Sequence, residues 1–281
     1  MLFLLIFLQK YAIFVLVIAM TDLFTRNVRC DDISFKYAKG ISDRSGKEFH
    51  LYNEIILFLG GDAELISETV HMKLKPQTLV VIPKETYHQV VINGKQDEYF
   101  RCVFQFENTK DICDLIHESM QELFVTDCNK SITYLFSQMI ELSSSDFKQF
   151  KNEITKSVLV LLLNEIRTKK SVNIENDLND ELTKQAIKYI SDNLTDNISI
   201  DEMALKFNTS VSTLMHTFKK NMNISIYKYI IKKRLILAHS KISDGEQSTV
   251  VASECGFNDY SGFYRQYKKM FDTTPSKKVR K

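Results

Sequence analysis

The run SECGFNDYSGFYRQYKKMFDTTP, Ser253–Pro275, constrains this chain more than any other stretch. Val251, Ala252 and Cys255 place an apolar stripe on a short helix, and Gly256 follows where a tight turn needs positive φ. Asp259 stands at an N-cap position, and Phe263 and Tyr267 recur at i, i+4 on the next helix. That spacing leaves Arg265, Lys268 and Lys269 on the open face. Two short helices about a glycine turn, the second with basic outward positions, describe a helix-turn-helix. A buried hairpin of an enzyme would share the apolar spacing but has no use for three cations on its outer face.

A second unit of the same kind lies upstream. Ala186, Ile187 and Ile190 form a scaffold helix that ends near Asn193. Ser199 followed by Glu202 is a capping box that opens a helix through Met203, Ala204 and Phe207. Asn208 and Thr209 make the turn, and Ser210 caps a helix whose Leu214 and Phe218 point inward. Ser212, Met215, His216 and Lys219 fall on the opposite face. Charge agrees with this placement. Residues 182–281 hold 17 Lys and Arg against 9 Asp and Glu, a net +8, whereas residues 1–181 are net −6. A basic C-terminal region beside an acidic remainder is the asymmetry expected of a nucleic-acid binder.

The C-terminal run resembles the AraC/XylS family of transcription regulators through Val251, Ala252, Gly256–Phe257, Ser261, Phe263, Arg265, Lys268, Lys269, Thr274–Pro275 and Arg280. Ala204, Ser210, Leu214, Phe218, Lys219 and Lys220 match the family's first helix-turn-helix, and Tyr229, Arg234 and Ala238 fall on its connecting helix. Four positions depart from the pattern: Asn223, Ser248, Gly262 and Asp272. Asn223 and Asp272 are mild, because both residue types tolerate the left-handed conformation. Gly262 is odder, since glycine inside a helix costs about 1 kcal/mol relative to alanine. It serves either a close approach of backbone to DNA or only weakens this unit.

The first third of the chain reads as strands. Glu54–Gly61 is an apolar run ending in a glycine turn, Thr78–Pro83 a β-branched run stopped by proline, and His88–Gly94 ends in the hairpin signal Asn93–Gly94. Tyr99–Phe106 alternates. Short, closely spaced strands suggest a small antiparallel barrel or roll. Their order is similar to the cupin-like sensor domain of many AraC-family regulators. In metal-binding cupins, His50, Glu54 and His88 would match three ligand places, with Tyr52 standing where another His is usual. With that set incomplete, the three are expected to line or brace an effector pocket, and no metal or cofactor is expected.

Ile112, Leu115, Ile116, Met120, Leu123 and Phe124 recur at helical spacing. So do Ile132–Leu142 and Ile154–Ile166, and the resemblance implies a dimer interface on one of these helices. Thr168–Asp180 lacks periodicity and reads as a linker. Leu2–Met20 is apolar but interrupted by Lys10, and it has neither a basic start nor a good cleavage site. It reads as a misassigned or dispensable start ahead of a membrane anchor, so membrane association is not expected. The five scattered cysteines form no CxxC and suit a reducing compartment.

The expected fold is therefore α+β. A cupin-like β-barrel over 33–107 precedes a helical dimerisation segment over 108–167, a linker over 168–180, and an all-α domain of two helix-turn-helix units over 181–281. The expected function is that of a non-enzymatic, cytoplasmic transcription regulator (activator by the family's habit) that binds double-stranded DNA as a homodimer. The resemblance implies a small-molecule effector, a sugar being one class, and contact with RNA polymerase. Two readers joined by a stiff helix would sit about 34 Å apart, one turn of DNA. Arg265 is the candidate for bidentate base readout, with Tyr260, Ser261, Tyr264, Ser210, Ser212, Met215 and His216 as weaker ones. Lys219, Lys220, Lys268 and Lys269 are expected to hold phosphates. The alternative from another class is a cupin metalloenzyme using His50, Glu54 and His88 with an appended DNA-binding domain.

Overall fold

The computed structural model describes residues 24–40, 49–95, 98–107, 110–144, 149–169 and 180–275. The expectations for residues 1–20, and for nearly all of the linker, lie outside these. The chain divides into two compact units, residues 1–176 and 177–281.

In the first unit the strands are β1 (Phe24–Cys30), β2 (Ile33–Lys39), β3 (Asn53–Gly60), β4 (Ala63–Ser67), β5 (His71–Lys73), β6 (Thr78–Ile82), β7 (His88–Ile92), β8 (Phe100–Phe106) and β9 (Phe124–Asp127). Among the described residues three helices accompany them: α1 (Cys113–Ser119), α2 (Lys130–Ser144) and α3 (Lys151–Arg167). Six strands form one antiparallel sheet in the order β1-β2-β8-β3-β6-β9, and three form another in the order β5-β4-β7. The expected barrel is thus realised as two packed sheets. Among the described residues no ladder joins them into a closed cylinder.

The continuous apolar run of β3 follows from its position. Ile55, Leu57 and Leu59 pack with Phe35, Phe104, Phe136 and Leu162 on the helical side. Ile56 and Phe58 pack with Ala63, Leu65, Val80 and Val103 toward the smaller sheet. A strand covered on both faces has no use for a polar alternate. β2 differs. Ile33, Phe35 and Tyr37 join the helical-side core, while Ser34 and Lys36 face the other way and are only partly covered. The core between the sheets draws on β3, β6, β8 and β9 but on neither β1 nor β2.

Three local expectations are corrected. The sheet begins at Phe24 rather than Ile33, because Val28 and Cys30 alternate inward beneath a surface too polar to read as a strand. The apolar stripe from Ile112 to Phe124 is not one helix. α1 stops at Met120, and Phe124–Asp127 pairs with β6, where its β-branched residues complete the sheet. Asn93–Gly94 does not close a hairpin between sequence neighbours, since β7 pairs with β4 and β8 pairs with β2 and β3. The amides of Asn93 and Gly94 instead donate to Asp62 O at 2.9 and 3.3 Å.

The second unit is helical: α4 (Glu181–Asp192), α5 (Ile200–Lys206), α6 (Val211–Met222), α7 (Ile226–Ser243), α8 (Ser248–Glu254) and α9 (Tyr260–Phe271). Ala186, Ile190, Met203, Leu214, Phe218 and Met222 are buried in its first half. Leu235, Ala238, Ile242, Val251, Cys255, Phe263 and Tyr267 form the core of its second half. Among the described residues no helix is long and apolar enough to cross a membrane.

Candidate nucleic-acid interface

Local sequence builds both readers. In the first, Ser199 Oγ accepts from the Glu202 amide and starts α5. Asn208 takes φ +55° in the turn, where Thr209 N donates to Ala204 O at 2.9 Å. Ser210 Oγ then accepts from Thr213 N at 3.0 Å, and such a cap contributes about 1 kcal/mol. Leu214 and Phe218 are fully buried, worth roughly 1.5–3 kcal/mol each in area removed from water. That anchoring leaves Ser212, Met215, His216, Lys219 and Lys220 exposed on α6. Asn223 ends the helix in the left-handed conformation, as its substitution for glycine requires. Ser210 is exposed too, but its hydroxyl is engaged in the cap and with Thr213 Oγ1 at 2.8 Å.

The second reader uses different devices for the same shape. Gly256 has φ +78°, and a Cβ there would lie 2.7 Å from Arg234 Cζ. Asp259 caps α9 with both oxygens, accepting from Ser261 N at 3.1 Å and Gly262 N at 2.6 Å. This explains Gly262, whose Cβ would stand 2.8 Å from Asp259 Oδ2. The glycine makes room for a close cap. Ser248 has a role as well, since its Oγ lies 3.0 Å from Tyr260 Oη and ties the start of α8 to the start of α9. Phe263 and Tyr267 are buried, and Tyr260, Ser261, Tyr264, Arg265, Lys268 and Lys269 are exposed. Asp272 closes α9 at φ +57°. Among the described residues no carboxylate forms an ion pair with Lys219, Lys220, Arg265, Lys268 or Lys269, so these cations face solvent with their charge uncompensated.

Between the readers sits Arg234 on α7, 9% exposed. Its Nε donates to Leu194 O at 2.8 Å, one terminal nitrogen to Asp196 O at 2.5 Å, and the other to Gly256 O at 2.7 Å. One guanidinium thereby links the loop after α4 to the turn of the second reader. The sequence reading put Arg234 on the connecting helix without this role. The available signal was its alignment at i±4 with Ile230 and Ala238, which places a charge on a buried face.

In the first unit, His50, Glu54 and His88 do come together, and all three are buried. They do not line the cleft of about 470 Å³ on this unit, whose walls include Arg29, Asp31, Asp32, Lys36, Tyr52 and Gln105. That cleft lies at the β1–β2 side, where the smaller sheet gives no core contacts. Gln105 connects the two places. It accepts from Lys36 Nζ at 3.1 Å and donates to Tyr52 Oη at 3.2 Å and Glu54 Oε1 at 2.8 Å. Burial alone would raise the Glu54 carboxyl, but the facing imidazoles of His50 and His88 hold it well below the usual carboxylate range.

Comparison with known proteins agrees with the geometry. A family model described as a helix-turn-helix domain matches residues 203–281, from within α5 to the last residue. The chain is 23% identical over 237 residues to a probable transcriptional regulator, LumQ, of Photobacterium leiognathi, covering 81% of this chain and 89% of that one. It is 26% identical over 122 residues to the transcriptional activator RhaS of Klebsiella pneumoniae, covering 43% and 44%. ToxT of Vibrio cholerae superposes over 91% of this chain and 96% of that one, with 14% identity and a TM-score of 0.38. Two capped helix-turn-helix units with unpaired cations on their outer helices, joined by one long helix, are what the helix-turn-helix model matches, and they mark the C-terminal region as an AraC-type DNA-binding domain in a chain similar to known transcriptional regulators.

Proposed function

We propose that α6 and α9 enter successive major-groove segments of duplex DNA, and that a small polar molecule bound to the first unit controls this binding. The observation that carries the proposal is the pair of open faces on α6 and α9, each anchored by a buried i, i+4 pair and each bearing unpaired cations. Arg265 reads a base edge through its bidentate fork, flanked by Tyr260, Ser261 and Tyr264. In the first reader Ser212, Met215 and His216 face the bases, while Ser210 shapes the helix start. Lys219, Lys220, Lys268 and Lys269 hold phosphates and set register.

The cleft beside Lys36 and Gln105 is the effector site of this proposal. It offers cations, carboxylates and amide groups together, a set suited to a polyhydroxylated or zwitterionic molecule such as a sugar. His50, Glu54 and His88 brace it from below through Gln105 rather than touching the ligand. Dimers form through α3, where Ile154 and Leu161 stay 36% and 54% exposed while Val158, Leu162 and Ile166 fill the core. Activation, with contact to RNA polymerase, fits the activators among the relatives.

Mobility-shift titration of the full chain on operator fragments from its own promoter region tests the proposal. Affinity should fall steeply with salt as phosphate counterions are released. Binding that is absent, or indifferent to salt, would remove it. Thermal shift against a panel of sugars and amino acids, repeated with Lys36→Ala, tests the cleft. A ligand at 100 times its Kd should stabilise the chain by about 2.7 kcal/mol.

A further inference from the structure

The second reader carries a bond that helix-turn-helix geometry does not ask for. A serine at a helix start ordinarily serves as the N-cap. Here Gln247 takes the cap position of α8 and makes no side-chain cap bond, and Ser248 is the first residue inside. Its hydroxyl reaches instead to Tyr260 Oη at 3.0 Å, 12 residues away on the recognition helix. Tyr260 is the first residue of α9, and its ring rests beside the fully buried Phe263 with centroids 5.7 Å apart. The ring of Tyr264, one turn on, lies 6.5 Å from it. The two tyrosines remain 38% and 37% exposed. A bond at its tip and a buried ring at its side thus hold Tyr260 in one place.

Helical period sorts the outer face of α9 into two adjoining strips. Tyr260, Tyr264 and Lys268 lie along one, and Ser261, Arg265 and Lys269 along the other. Both lysines fall in the last turn, so the leading part of the face is two aromatic rings beside a guanidinium fork. That leading part is where a recognition helix meets base edges. The fork suits a guanine, but the rings need a different partner. A tyrosine hydroxyl can itself bond to bases or phosphates, yet that of Tyr260 is turned to α8 and engaged there. What this side chain offers to DNA is carbon. Base edges in the major groove present donors and acceptors apart from one apolar group, the 5-methyl of thymine.

We propose that Tyr260 and Tyr264 form an aromatic wall that reads a thymine 5-methyl beside the base pair gripped by Arg265, with Ser248 as the positioning residue that holds Tyr260. The proposal deepens the DNA-binding reading of α9 and rests on it. It gives the departure at Ser248 a use: the hydroxyl fixes an aromatic ring that would otherwise swing at the exposed start of the helix. Seating one methyl against the two rings should strengthen binding about fourfold, the worth of one buried methyl-sized group.

The test uses the full chain and the duplex it selects from a random-sequence pool, resynthesised with 2′-deoxyuridine at one thymine position at a time. Deoxyuridine differs from thymidine only in lacking the methyl. At the thymine beside the base pair that Arg265→Ala relaxes, this change should weaken binding about fourfold. Tyr260→Ala should erase the difference between the two duplexes. Ser248→Ala and Tyr260→Phe break the same bond from opposite ends, so each should shrink the difference equally and the double variant no further. Ser248→Thr, which keeps the hydroxyl, should retain it. A selected site with no thymine there, or no methyl effect at any thymine in the second half-site, would overturn the proposal. So would a methyl effect that survives Tyr260→Ala, or a Tyr260→Phe chain weakened on every sequence alike while Ser248→Ala is not, since the hydroxyl would then hold a phosphate. In each of these cases salt-dependent binding to the selected duplex still upholds the regulator reading; a chain that binds no duplex removes both. The scan with the wild-type chain decides even if a variant fails to fold.

Discussion

The two readers reach one shape by unlike means. The first turns on Asn208 and caps its recognition helix with a neutral hydroxyl, Ser210. The second turns on Gly256 and caps with a carboxylate, Asp259, which takes two amides and needs Gly262 to fit. The exposed faces differ in the same direction. The first presents small and soft groups, Ser212, Met215 and His216; the second presents Tyr260, Tyr264 and the fork of Arg265. Helix-turn-helix geometry asks only for an inward i, i+4 pair and a satisfied helix start. It leaves reading chemistry free to diverge, so the first reader should tolerate base changes in its site better than the second.

The largest expected effect comes from what the readers share. Arg234→Met should cost about 3 kcal/mol or more, since three carbonyl acceptors lose a charged donor at once. Urea unfolding would show it. If stability holds while DNA affinity also holds, the guanidinium does not couple the readers. Gly256→Ala should cost about 2 kcal/mol, combining a left-handed backbone with the collision against Arg234. The matched change in the first turn, Asn208→Ala, should cost less, because among the described residues only backbone groups, Leu205 O and Ala204 O, are bonded to its amides.

Arg265→Ala should weaken the preferred site by about 1–3 kcal/mol and relax one base pair, whereas Lys268→Ala should weaken all sequences alike. Selection of bound sequences from a random pool separates the two; identical behaviour would erase the distinction between base and phosphate contacts. The caps come next. Ser210→Ala and Asp259→Ala should each cost about 1 kcal/mol in unfolding, Asp259 the more, as it serves two amides. Gly262→Ala should be nearly neutral, because the helix gains about 1 kcal/mol from alanine while the cap loses its fit. A clear stabilisation there would mean that Asp259 moves aside without penalty.

Legibility followed the range of the interactions involved. Ser199, Ser210 and Asp259 were recognisable because a cap and its amides lie within three residues of each other. Exposed Arg265 and buried Phe263 were separable because helical period alone divides a short amphipathic helix into faces. The roles of Gly262 and Ser248 were not, for each depends on how close a side chain from a neighbouring turn or helix comes. Leu123 and Phe124 were misread because an apolar pair continues a helical stripe as readily as it starts a strand. Pairing of β9 with β6, 43 or more residues apart, decided the matter.

The amino-acid sequence by itself determined the two DNA readers, their faces and their caps, together with the strand-rich character of residues 54–106. These rest on contacts between near neighbours in the chain, which composition and spacing record directly. Tertiary structure alone decided that the strands form two sheets, that the cleft opens at β1 and β2, and that Arg234 binds Gly256. It also decided that His50, Glu54 and His88 converge on a single carboxylate oxygen. Each of these depends on groups distant in sequence meeting within a few ångströms, and no periodicity along the chain encodes such a meeting.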